Sequence, residues 1–106
     1  MYQITVLLPL KDNRGRPFPK AKIAAVQERL AQKFGGYTAY RRAPAKGVWL
    51  KSGKRQTDDI VVVEVFAEKL ERHWWRGFAS DLERELQQEE IVVHSIRIEK
   101  LGRRSA

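Results

Sequence analysis

The chain has 106 residues, 42% hydrophobic and 32% charged, with a formal net charge of +8 and no cysteine. Such a length supports one domain with its own core, and the missing cysteines exclude disulfides, thiolate nucleophiles and Cys-bearing zinc sites. No apolar run approaches the ~20 residues of a membrane-spanning helix, and the opening MYQITVLLPLKDN lacks a basic n-region and a small-residue cleavage site, so it is read as a strand of a cytoplasmic protein.

Tyr2, Ile4, Val6 and Leu8 alternate with Gln3, Thr5, Leu7 and Pro9, the period of a strand. KDNRGRPFP then breaks the pattern with Asn, Gly and two prolines and is read as a loop. From Lys20 the apolar spacing changes to Ile23, Val26, Leu30 and Phe34, one face of a helix that begins after Pro19 and stops at Gly35 and Gly36. Tyr37 to Arg42 predicts a second strand, interrupted by APAKG and resumed at Val48 to Lys51, with SGKRQ as the turn beyond it. Ile60 to Phe66, with four valines, is the clearest strand of the chain.

Leu70, Trp74, Phe78, Leu82 and Leu86 recur every four residues and predict a long second helix with Trp75 at the edge of its stripe. Its start carries no Ser, Thr, Asp or Asn cap. Core packing is the expected role of both tryptophans. QQEE (Gln87 to Glu90) places carboxylates at the end of this helix, where the dipole disfavours them and basic partners are expected. Ile91 to Ile98 closes the domain as a final strand. The order β-α-β-β-α-β predicts an α+β fold, a two-layer ferredoxin-like plait with a four-stranded antiparallel sheet and both helices on one face. It spans residues 1–101 and leaves a short basic tail at 102–106.

Charge is unevenly placed. Residues 1–57 carry 13 Lys and Arg against 2 Asp and Glu, whereas residues 58–106 carry 8 against 11. The basic half invites an anionic partner, although two halves folded against each other would partly neutralise. Arg14, Arg16, Lys20 and Lys22 gather at the start of the first helix as anion-binding candidates; a solvated basic loop is the commoner outcome.

A plait leaves one sheet face bare, and the Ile60 to Phe66 strand is apolar on both sides apart from Glu64. Apolar residues on both faces of a central strand imply that both are covered. A second copy packed sheet to sheet, a homodimer, is the expected cover. Tyr40, Arg42, Trp49 and Glu64 are the candidate ligand-binding residues of that face, with Arg41 or Arg42 as the expected partner of the Glu64 carboxylate.

Motifs that carry defined chemistry are absent. Gly47, Gly53 and Lys54 resemble a phosphate loop, but five residues separate the glycines where four are needed, and Arg55 follows the lysine. His73 and His94 have no second ligand at metal spacing, so neither a metal nor a cofactor is expected. Asp58 and Asp59 are adjacent in an extended segment and would face opposite ways, which argues against a working acid–base pair. Were the protein an enzyme, of the cofactor-free kind found on dimeric α+β barrels, Glu64, His94 and Tyr40 would be the candidate catalytic residues; this rests on fold analogy, and the sequence leans against it.

Phe34 to Leu50 (FGGYTAYRRAPAKGVWL), Asp58 to Val65 (DDIVVVEV), the Trp74–Trp75 pair and Gln88 to Val93 (QEEIVV) resemble the corresponding segments of an uncharacterised bacterial family of small single-domain proteins. The resemblance covers nearly the whole chain and implies a bacterial source, with no activity attached. The leading expectation is therefore a dimeric module holding a small molecule or partner at the bare sheet face. Nucleic-acid binding through the basic half is the alternative; it is not favoured, because valines and Glu64 occupy the strand positions where RNA-recognition domains place stacking aromatics.

Overall fold

A computed structural model describes residues 1–42, 48–51, 54–57 and 59–102; of residues 42, 48–51 and 54–57 only the backbone is described. The main chain runs β1 (Tyr2–Pro9), α1 (Lys20–Phe34), β2 (Thr38–Arg42), β3 (Val48–Lys51), β4 (Lys54–Thr57), β5 (Ile60–Ala67), α2 (Arg72–Glu85) and β6 (Val93–Arg97). Strands β2, β5, β1 and β6 lie side by side in that order in one antiparallel sheet. With α1 and α2 this is the ferredoxin-like plait. Segment 48–51 does not resume β2 in the sheet. It pairs with residues 54–57, of which 54–56 belong to the SGKRQ segment expected as a turn, in a separate two-stranded hairpin. The APAKG interruption and Asp58 lie outside the described residues.

The period-2 pattern of β1 places Ile4, Val6 and Leu8 opposite Val65, Val63 and Val61 of β5, all on the helix side. Ile23, Val26 and Leu30 of α1 and Phe78, Leu82 and Leu86 of α2 and its cap complete the core over them. Each such side chain contributes about 1.5–3 kcal/mol on full burial. Helix α1 stops where Gly35 takes a left-handed turn, φ 80°, and donates to the Ala31 carbonyl at 2.8 Å. Helix α2 stops earlier than QQEE: Gln87 takes the left-handed position at φ 53°, and Gln88 N–H reaches back to the Glu83 carbonyl at 2.8 Å. Glu89 and Glu90 thus lie beyond the helix, and Glu83 accepts the Ile91 N–H at 3.0 Å.

The tryptophans exchange their expected places. Trp75 is 5% exposed, while Trp74 is only half-buried. Phe34, at the end of α1, stacks on Trp75 with ring centroids 5.2 Å apart and meets Trp74 edge-on, so the neighbouring helix decides which ring goes inside. The Trp75 Nε1–H is buried with no acceptor among the described residues, a cost of about 1–3 kcal/mol that the burial of its ring offsets.

Ion pairs join the basic and acidic parts of the chain: Lys11 and Arg41 to Asp59, Lys33 to Glu71, and Arg29 to Glu85, the last bidentate at 2.9 and 3.2 Å. Part of the uneven charge is therefore neutralised inside one protomer. The basic loop is organised by Asp12. Its Oδ1 accepts the Arg16 and Arg14 backbone N–H groups at 2.9 Å, and its Oδ2 accepts from Arg16 Nε at 3.1 Å. The Arg16 backbone donor above all, with Arg14 and the Arg16 guanidinium adding to it, holds the Asp12 carboxyl below the usual aspartate range. Lowering of the folded-state value means that this contribution to stability is complete above the unfolded aspartate value of about 3.9 and is lost as pH falls through the folded value. A carboxyl-detected NMR titration is expected to show Asp12 titrating below the ordinary aspartate value of about 3.9. An Asp12 midpoint at or above the ordinary value would refute the loop arrangement.

Candidate functional site

The sheet face away from the helices is built by register. Thr38 of β2, Glu64 of β5, Thr5 of β1 and His94 of β6 lie opposite one another in turn, forming a polar row across all four strands. On one side of it Tyr40, Val62 and Leu7 form a second row; on the other, Phe66, Gln3 and Ile96 form a third. Alternation on the pleat makes this face the exact complement of the core face.

Glu64 sits at the centre. Its Oε2 accepts the Tyr40 hydroxyl and the Gln3 side-chain amide, each at 3.2 Å, while Oε1 accepts neither. The carboxylate is half-buried, with Tyr40 and Phe66 rising beside it at 49% and 50% exposure. A depression of about 250 Å³ opens next to it, lined by Gly35, Gly36, Tyr37, Thr38, Glu64 and Phe66 among others. Both donors are neutral and meet the same oxygen, which leaves Oε1 with no hydrogen-bond donor among the described residues, so the arrangement suits a ligand bearing hydroxyl or amine donors.

Other anticipated partners are elsewhere. Arg41 points to the helix side and pairs with Asp59 at 3.4 Å, so it is not the partner of Glu64. Backbone register puts Arg42 on the Glu64 face, opposite Ile60; its side chain and that of Trp49 are outside the described residues, and Trp49 belongs to the hairpin rather than the main sheet. His94 is exposed, not half-packed, and Thr5 stands between it and Glu64. Two strand spacings, roughly 10 Å, separate their backbones, which leaves them no direct hydrogen bond. Of the catalytic candidates only Tyr40 and Glu64 meet.

The basic candidates do not converge. Arg16 is committed to Asp12, Lys22 lies 5.8 Å from the Phe18 ring centroid, and Arg14 and Lys20 are exposed. Thr5 and Thr38 stand on this face as strand parity predicts; sequence reasoning missed Gln3, which gains significance only when folding brings its amide to Glu64.

The bare face is not uniformly bare. Val62 is 1% exposed and Ile60 is buried, yet neither belongs to the core beneath the helices. Val62 reaches that burial within one protomer, standing between its cross-strand neighbours Tyr40 and Leu7. An apolar central strand therefore does not by itself require a second copy. Tyr40, Phe66 and Ile96 stay open, at 49%, 50% and 54% exposure.

No family model and no curated protein matches the chain. Among solved structures it is similar to a phage SAM lyase in complex with S-methyl-5′-thioadenosine, with a TM-score of 0.60, 16% identity, and coverage of 90% of this chain and 79% of that one. The same description, a phage SAM lyase, now in the apo state, matches with a TM-score of 0.56, 15% identity, and coverage of 90% and 78%. At that identity the likeness establishes the shared fold. None of the helices among the described residues is long and apolar enough to cross a membrane.

Proposed function

We propose that this protein binds a small molecule against the helix-free sheet face, with Glu64 as the polar anchor and Tyr40 and Phe66 framing an apolar or aromatic part. The observation that carries this is the Glu64 carboxylate, held by Tyr40 and Gln3 through one oxygen beside an open depression. A nucleoside matches both requirements, since its base presents a flat face to aromatic side chains and its ribose hydroxyls donate to a carboxylate. The neighbour that binds S-methyl-5′-thioadenosine supports the choice of probe. A second copy packed over Phe66 and Ile96 would close the site from above and is part of this reading.

Titration of the protein with S-methyl-5′-thioadenosine, followed by calorimetry and by amide NMR, tests it. Saturable binding with shifts centred on Thr38, Tyr40 and Glu64 is expected, weakened at least tenfold in Glu64→Gln, which removes the charge and keeps the shape. Absence of saturable binding, or equal affinity in the variant, would reject the site.

A further inference from the structure

On the other layer, a groove of about 360 Å³ runs between α2 and β6. Its presence follows from side-chain size. Ala79 on the helix and Ser95 on the strand, both small, line it, and β6 is the edge strand, paired on one side only. Arg72 and Arg76, one helical turn apart, line it together with Trp75, and Glu90 lies among its other lining residues. Glu64 is not part of it.

Three features of the groove are donors in want of acceptors. Arg72 and Arg76 are both exposed and make no ion pair with any described residue, in a chain where Arg29, Arg41 and Arg84 all find carboxylates. Side chains at this spacing are neighbours on a helix surface, about 5–6 Å apart at Cβ, so two guanidinium groups can share one oxyanion. Second, Trp75 lines the groove, and its buried Nε1–H has no acceptor among the described residues. Third, the strand edge is available. Leu7 N–H donates to the Val92 carbonyl and Ile98 N–H to the Met1 carbonyl, both at 3.0 Å. With the register Thr5 opposite His94, alternation of the antiparallel ladder turns the backbone groups of Ser95 outward, to the open edge. The Ser95 side chain faces the helix with Ile4, which adds a hydroxyl to the same space.

We infer that the α2–β6 groove is a binding site for a small oxyanion, a carboxylate or phosphate group, held by Arg72 and Arg76 and completed by donors from Ser95. Glu90 in the lining works against a polyanion, so the occupant is a small molecule and not a nucleic-acid backbone. Its edge reaches His94, which also ends the polar row of the other face, but the two arginines and Trp75 belong to the groove alone.

Amide and indole NMR at constant ionic strength, with sodium chloride replaced stepwise by sodium phosphate and separately by sodium acetate, tests this in the full chain. The expected result is a saturable shift of the Ser95 amide and the Trp75 indole N–H with one or both anions, phosphate alone indicating a phosphate site and both a general oxyanion site. Arg72→Gln with Arg76→Gln should weaken it at least tenfold. Both residues are exposed, so the urea midpoint of the double variant should match the parent and exclude misfolding as the cause. Linear, unsaturable shifts with both anions, or saturable shifts unchanged in the double variant, would overturn the proposal.

Discussion

Val62→Asp is expected to unfold the protomer, whereas Ile96→Asp is expected to leave it folded. The two residues share the sheet face opposite the helices, but their surroundings differ: Val62 is 1% exposed and Ile96 is 54% exposed. Removing a buried valine forfeits about 1.5–3 kcal/mol, and a buried carboxylate adds several more. Aspartate at 62 would also stand two residues from Glu64 on the same face, adding a like charge. Against a total of about 5–15 kcal/mol for a small domain, the loss shifts the urea midpoint drastically or abolishes the transition. At position 96 the change should stay within about 0.5 kcal/mol. Native mass spectrometry of the folded Ile96→Asp protein then reads the second copy directly: a parent dimer mass that falls to the monomer supports sheet-to-sheet packing, and an unchanged mass removes this face as the interface. A parental urea midpoint for Val62→Asp would refute the account of Val62 as part of the protomer's own interior.

The second large effect concerns the adjacent tryptophans. Trp75→Ala is expected to cost about 3–5 kcal/mol, as for other buried aromatic truncations, and Trp74→Ala markedly less. Trp75 is enclosed, stacked on Phe34 at 5.2 Å and edge-on to Phe78 at 5.6 Å. Trp74 is half-buried and stacks on Phe78 at 5.1 Å with Lys33 Nζ 4.7 Å from its ring centroid, so its removal exposes a margin rather than opening a cavity. Trp75→Phe refines the comparison, because it keeps an aromatic ring and deletes the buried donor that has no acceptor among the described residues; its cost should fall well below that of Trp75→Ala. Equal losses for the two alanine variants in urea denaturation would show that the helix presents a different face to the core.

The strand and helix periods were legible because they are local. Alternation in Tyr2 to Leu8 and in Ile60 to Phe66 and the spacing of Ile23, Val26, Leu30 and Phe34 place β1, β5 and α1, and Gly35 ends the helix where its lack of Cβ permits a left-handed turn. Element order then restricts the topology to the plait, since short connections and right-handed crossovers leave few alternatives. Glu64 stood out as the one charge in an apolar strand.

Other assignments needed the packed chain. A four-residue repeat through Leu70, Trp74 and Phe78 drifts around a helix of 3.6 residues per turn, so the stripe alone could not say which tryptophan lies inside; Phe34, 40 or so residues earlier in the chain, decides it by stacking on Trp75. Segment 48–51 read as a strand but carried no information about its partner, and hairpin pairing with 54–57 prevailed over the sheet edge. Glu64 was expected to meet an arginine, but β1 brings Gln3 and β2 brings Tyr40 to it, because pairing register is a property of two strands at once. The composition, the periods and the order of elements were determined by the sequence itself; the companions of Glu64, the burial of Val62 and the groove beside Arg72 and Arg76 were decided by tertiary contacts between residues far apart in the chain.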